Sequence, residues 1–235
     1  MIRHPSLITA IAVLLLAGCG KAPESRYFPL ADGYRWTYAL HEANPYTDRT
    51  EPFEVRNAGS RERDGDTYWL RRNSLDTEYW LKVDGDNIVR TGVRTAVELE
   101  PQPDAVPRTV LPRTPKLGDR WEQPSQPFIL ERVVPFRERF LRHESTRFVL
   151  NMAVTAVDEE VTVPAGTFKG CIKVEGEALV HVLADARLGA SEVAVRHIEW
   201  YAPDVGLVKL HRIEPLETTA IVGGEVTMEL TGWER

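Results

Sequence analysis

The sequence predicts an all-β protein built on one large, curved antiparallel sheet, a meander of strands. Short alternating or wholly apolar runs recur along the chain, split by Gly, Pro, Asp and Asn, with few helical periodicities among them. Several of the splits are tight-turn sequences. The gaps between runs are too short for long crossovers, so consecutive strands pair as neighbours.

In chain order the runs place strands at 34–41, 52–61, 67–72, 78–83, 87–92, 128–139, 147–157, 159–163, 168–183, 192–201, 206–214, 218–222 and 225–233. Asp64-Gly65 separates two of them, and glycine supplies the positive φ that a tight hairpin needs. Asp84-Gly85-Asp86, Pro164-Ala165-Gly166 and Ala202-Pro203-Asp204-Val205-Gly206 read as further turns. Gly223-Gly224 reads as a two-residue hairpin loop.

Residues 101–127 hold seven of the 16 prolines: Pro101, Pro103, Pro107, Pro112, Pro115, Pro124 and Pro127. Proline removes a ladder donor, so this stretch is expected as a surface connection. It divides an N-terminal β part, 27–100, from a C-terminal β part, 128–235. An internal echo runs between Pro29-Leu30-Ala31-Asp32-Gly33-Tyr34-Arg35-Trp36 and Pro115-Lys116-Leu117-Gly118-Asp119-Arg120-Trp121. Two related halves and a chance likeness of two turn-to-strand entries account for it equally.

The N-terminus carries the strongest single signal. Met1-Ile2-Arg3-His4 is a short basic segment, and residues 7–16 (LITAIAVLLL) are an apolar run ending in small residues. Ten residues are too few to cross a bilayer, which needs roughly 20. The pattern is that of a secretory signal peptide, residues 1–18. Leu16-Ala17-Gly18-Cys19 resembles a bacterial lipobox. That resemblance implies a diacylglycerol thioether on Cys19, cleavage before it and acylation of the new α-amine. Residues 19–26 would then be a lipidated tether. Gly20 stands where Asp marks inner-membrane retention in the enteric pattern, so the resemblance implies the periplasmic face of the outer membrane. With Cys19 lipidated, Cys171 has no partner for an intramolecular disulfide, and the domain must rest on its apolar core.

Composition limits what the domain does. Of 235 residues, 43% are hydrophobic and 27% charged, which excludes collagen, a disordered tail and a polytopic membrane protein. Lys and Arg total 29 against 35 Asp and Glu, a net charge of −6. Nucleic-acid binding draws on phosphate neutralisation, so an acidic domain is not a nucleic-acid binder.

Tyr27-Phe28-Pro29-Leu30 with Gly33 and Trp36-Thr37-Tyr38 resembles the opening of a group of uncharacterised bacterial envelope lipoproteins. Val163-Pro164-Ala165-Gly166-Thr167-Phe168 followed by Cys171 resembles a later motif of that group. So does Trp200-Tyr201-Ala202-Pro203 with Val205-Gly206-Leu207-Val208-Lys209. The resemblance implies one curved antiparallel sheet and carries over no catalytic residue. The motifs themselves read as turns and strand entries.

No nucleophile elbow, phosphate loop, dinucleotide fingerprint or His-Glu-x-x-His occurs. His181, His197 and His211 fall on successive strands and would suit zinc if register brought them to one face, but no Asp or Glu spacing backs such a site. Asp84-Gly85-Asp86-Asn87 lacks the glycine and glutamate of a calcium loop. Asp158 and Glu160 share a strand face by spacing and read as solvated. Cys171 lies among lysines that would lower a thiol pKa, yet no histidine adjoins it, and it reads as half-buried and structural. Trp69, Tyr79 and Trp80 on adjoining strands read as sheet packing, with a ligand groove as the other use of such aromatics. The expectation is a periplasmic, lipid-anchored module without catalytic residues, metal or cofactor. Its partners would be the membrane, through Cys19, and an apolar ligand or an envelope protein. A hydrolase with an unrecognised site and a structural subunit of an envelope complex are the other two classes.

Overall fold

A computed structural model describes residues 25–140, 147–183 and 189–235; the Cys19 tether and His143 lie outside them. Fourteen antiparallel strands make one sheet, and no α-helix occurs among the described residues. They are β1 (Arg35–Asn44), β2 (Thr47–Arg63), β3 (Asp66–Asn73), β4 (Glu78–Asp84), β5 (Asn87–Arg94), β6 (Gln102–Pro112) and β7 (Arg120–Ser125). The short β8 (Glu131–Arg132) and β9 (Glu138–Arg139) follow, then β10 (Phe148–Val163), β11 (Gly166–Leu183), β12 (Ala190–Ala202), β13 (Gly206–Glu217) and β14 (Ile221–Glu234).

The order across the sheet is β6-β5-β4-β3-β2-β1-β14-β13-β12-β11-β10-β7. The chain thus winds once round a nearly closed barrel. Its first and last long strands pair, Trp36 opposite Trp233 and Leu40 opposite Met228. The break in the ring lies mid-sequence, between β6 and β7, which approach without backbone pairing. Residues 101–127, expected as a surface connection, carry these two strands. Proline explains both facts. A strand lacking donors can pair on one side and serve as an edge, and Pro103, Pro107, Pro112 and Pro124 sit in the two edges. Arg35 opens β1 and Arg120 opens β7, so each Arg-Trp pair begins the first strand of a six-strand run.

The expected hairpins at Asp64-Gly65, Gly85-Asp86, Pro164-Ala165 and Pro203-Asp204-Val205 are present, with Asp64, Gly65, Gly85 and Asp204 at positive φ. Three expectations are corrected. Strands 147–157 and 159–163 are one strand, β10, in which Asp158 (φ 62°) forms a bulge rather than a break. The expected strands 218–222 and 225–233 likewise merge into β14, which begins only at Ile221, after a bend at 219–220. Gly223 and Gly224 lie inside it because neighbouring backbone comes too close for a side chain. A Cβ at 223 would collide with the Glu214 carbonyl oxygen, and one at 224 with that of Ala43. Finally, residues 128–139 form only the two-residue strands β8 and β9 and otherwise cross one end of the barrel.

Each end of the barrel has its own closure. At one end the N-terminal segment 25–34 packs under the β12–β13 turn. Asp204 N donates to Arg26 O at 2.6 Å, Tyr27 Oη to Gly170 O at 3.1 Å and Trp36 Nε1 to Val205 O at 2.7 Å. Phe28 and Leu30 are buried there. At the other end residues 126–140 lie across the opening. Ile129, Leu130 and Phe140 enter the core, and Arg139 grips Glu42 of β1 through two bonds of 3.0 and 2.8 Å. One apolar cluster, around Leu150, Met152, Ile172, Val174 and Val195, fills the barrel beneath that closure. A second, around Trp36, Tyr38, Val163, Cys171 and Leu230, lies towards the N-terminal end.

The glycine roles separate in a melting experiment. Gly166 (φ 131°) meets no atom within 4 Å, so Gly166→Val should cost only backbone strain, on the order of 1–2 kcal/mol. At roughly 2–4 °C per kcal/mol for a chain of this size, the midpoint should fall by several degrees. Gly206→Val should cost more, because Pro29 Cδ would lie 3.3 Å from the new Cβ. Asp204→Asn should melt near wild type, since Asn tolerates positive φ. Gly223→Ala should be the most damaging, and a near-native midpoint would contradict the close approach described.

Candidate functional site

The inner face of the sheet is not uniformly apolar. In β12 the alternation Val193, Val195, His197, Glu199, Tyr201 passes from aliphatic to polar along one face, and all five are buried. His197 Nε2 lies 3.0 Å from Glu199 Oε1, and Tyr201 Oη donates to Glu199 Oε2 at 2.8 Å. A neutral His197 must therefore carry its proton on Nε2, leaving Nδ1 an acceptor. Nδ1 is buried without a hydrogen-bond partner. Burial pushes the His197 pKa below its usual 6.5, only partly offset by Glu199. Burial pushes Glu199 up, but His197, Tyr201 and Arg108 outweigh it and hold the carboxyl below its usual 4.5. Burial and the adjoining Glu199 raise the Tyr201 hydroxyl well above 10.0.

Beside this row, His197 pairs across the ladder with Arg212 of β13. Arg212 and Glu214 are fully buried, joined by a 2.9 Å bond from Nε to Oε1. Glu214 also accepts from the backbone N–H of Phe128 at 2.7 Å, Ile129 at 3.0 Å and Leu130 at 3.1 Å. Arg212 donates to Gln126 O at 3.1 Å and stacks on Phe128 at 4.4 Å. One carboxylate thus satisfies three consecutive donors and fixes the segment that closes the barrel, which is why 128–130 is not a strand.

Opposite β12, Trp69, Leu81, Arg90 and Arg108 face one another in a single cross-strand row from β3 to β6. Arg90 is held by Asp104 through two bonds of 2.8 Å. Arg108 reaches over the open seam. With the Gln123 amide turned so that both its atoms are satisfied, Gln123 Nε2 donates to Thr109 O at 2.9 Å and Oε1 accepts from Arg108 Nε at 3.0 Å and from its Nη2. In the next row Asn57, Arg71 and Tyr79 align. Arg71 donates to Pro29 O at 2.7 Å and to Asn57 Oδ1 at 3.0 Å, and lies between Phe28 at 3.9 Å and Trp36 at 4.8 Å. This clamp gives Phe28-Pro29-Leu30 and Trp36 their structural meaning. Among the described residues neither Arg71 nor Arg108 has a carboxylate within 4.0 Å. Both keep partial solvent exposure. Burial brings each guanidinium pKa down to about 10.

The residues singled out from the sequence fall elsewhere or apart. His181 and His211 point outward and His197 inward, and each faces its own glutamate: Glu192 at 2.9 Å, Glu225 at 2.8 Å and Glu199 at 3.0 Å. Cys171 is fully buried in the second apolar cluster rather than half-buried. Burial, with Glu159 adding to it, pushes its thiol up to about 11, the opposite of what its lysine neighbours suggested. Trp69 and Tyr79 face inward, while Trp80 packs on the other face against Tyr68. The polar interior was missed, although His197-x-Glu199-x-Tyr201 and Arg212-x-Glu214 are readable as polar residues on an otherwise apolar alternation.

No family profile matches the chain, and no curated protein is similar to it at a significant level. Two solved structures superpose on it. One is a Bacteroides fragilis protein, provisionally described as exported and as having a YmcC-like fold, at 13% identity and TM-score 0.47, covering 90% of this chain and 100% of that one. The other is a Parabacteroides distasonis protein, provisionally described as a lipoprotein, at 12% identity and TM-score 0.47, covering 89% and 99%. Any functional reading rests on this chain's own residues.

Two outcomes test the interior. Removing one partner of a buried ion pair costs roughly 3–5 kcal/mol, so Glu214→Gln should lower the melting midpoint by roughly 6–20 °C. His197 titrates lower in the fold than unfolded, so the unfolded chain binds more protons and stability falls as pH drops through about 6.5. Glu199 adds a loss in the same direction below its usual 4.5. Melting from pH 7.5 to 5.0 should show a decline that His197→Gln reduces; an equal decline in both proteins would contradict the buried neutral imidazole.

Proposed function

We propose that this chain is a lipid-anchored lipoprotein of the bacterial cell envelope, with the barrel in the periplasm at the outer membrane. Its barrel binds an apolar ligand or an envelope protein and does no chemistry. The observation that carries the reading is how soon the fold begins after Cys19. Ser25 is six residues on, and six extended residues span at most about 20 Å. By Arg26 the chain is already bonded to the β12–β13 turn, and by Phe28 it is stacked under Arg71. A tether this short holds one end of a rigid barrel close to the bilayer, and two or three acyl chains at about 0.8 kcal/mol per buried CH₂ make the attachment durable. The binding role finds support in the side chains that would otherwise serve catalysis. The Cys171 thiol is buried with a raised pKa, and among the described residues no hydroxyl or thiol is hydrogen-bonded to His197.

The intact mass of the mature protein should begin at Cys19 and include acyl chains. Cys19→Ala should accumulate as an uncleaved precursor without them. A mature protein starting elsewhere and lacking lipid would overturn the reading.

A further inference from the structure

We propose that the barrel interior binds an anionic group, a carboxylate or a phosphate, held by Arg108 and Arg71 beside Tyr201. The inference deepens the binding reading above and rests on it only for the claim that the domain binds; it does not depend on the anchor.

A charge withdrawn from water is normally matched by an opposite charge. Two interior pairs obey this rule: Arg90 has Asp104 and Arg212 has Glu214. Among the described residues the hydrogen bonds and ring contacts of Arg71 and Arg108 are all to neutral groups, and Glu199 acts on Arg108 from beyond ion-pair distance. Each lies close enough to Tyr201 to feel its hydroxyl electrostatically. On both, the bonds described use Nε and Nη2, and none is described to Nη1. The guanidinium fork suits carboxylate and phosphate oxygens.

The surroundings suit an anion with an apolar body. Trp69, Leu81 and Tyr79 adjoin the two arginine rows, and Trp69 and Tyr79 keep partial exposure. Access is through the seam, where β6 and β7 share no backbone pairing and are bridged by the Arg108–Gln123 contact itself. A ligand anion competing for Arg108 would loosen the bridge that guards its own entry.

The test uses the mature lipoprotein in non-ionic detergent, melted at matched ionic strength with inorganic phosphate, octanoate, octyl phosphate or octanol. A bound ligand raises the midpoint with concentration. Octyl phosphate and octanoate should each raise it by several degrees, and octanol should not. A rise with the alkyl anions alone identifies an amphiphile headgroup, and a matching rise with inorganic phosphate identifies a free anion. Arg108→Gln should lose the rise when each protein is compared with its own ligand-free midpoint, a baseline that the lost Gln123 bridge and the lost action on Glu199 would lower. A second readout needs no variant: the phosphorus resonance of octyl phosphate should broaden on adding wild-type protein and recover on adding octanoate. No rise and no broadening with any anion, an equal rise with octanol, or a full rise in Arg108→Gln would overturn the site. With Cys19 lipidation confirmed by mass, that failure would leave the anchored-module reading standing.

Discussion

The pairing of β1 with β14 is the constraint on which the architecture depends. Most other ladders join strands that follow each other in sequence and form locally; the exceptions are β7 with β10 and the two-residue pairing of β8 with β14. The β1–β14 ladder joins Arg35 to Glu234 and turns an open ribbon of strands into a ring. Without it the second apolar cluster would lose a wall, since Tyr38 and Leu40 on one strand and Met228 and Leu230 on the other sit side by side in it. Non-local ladders are slow to form, because loop entropy is lost before contacts are gained. The glycines at 223 and 224 belong to this constraint: they let β13, β14 and β1 approach where a side chain would hold them apart.

A ring of this kind has an inside, and here it is partly charged. Burying ions is costly, and the fold uses them where a backbone segment would otherwise lack a partner. Glu214 holds 128–130, and Arg71 holds 29 and, through Asn57, 31. Each closure of the barrel is thus fixed by a buried ionic group bonded to main chain. Arg108 differs, since its described bonds go to Gln123 across the seam and to neither closure.

Local features were legible in the sequence and distant ones were not. Asp64-Gly65 and Pro164-Ala165 could be placed because a turn is encoded by the residues that make it. Gly223-Gly224 was misread because glycine serves two purposes, a tight turn and a close approach, and the second depends on the neighbouring strands. The prolines within 101–127 forbid a central strand, but an edge strand needs donors on one side only. The interior cluster draws on β3, β6, β12 and β13, so it exists only once register is set. Even so, the alternation through His197, Glu199 and Tyr201 placed polar groups on the buried face. His181, His197 and His211 show the converse: a suggestive set of residues is dispersed once each strand shows which way it faces.

The seam also has a social consequence. An unpaired strand edge is a template for another chain, and molecules tethered to one surface meet far more often than in bulk solution. In this protein the two edges are turned toward each other, and β6 carries three prolines and β7 one, so neither offers an unbroken row of donors to a neighbour. The break that keeps the ring from sealing is thus placed where an incoming strand would find the fewest donors.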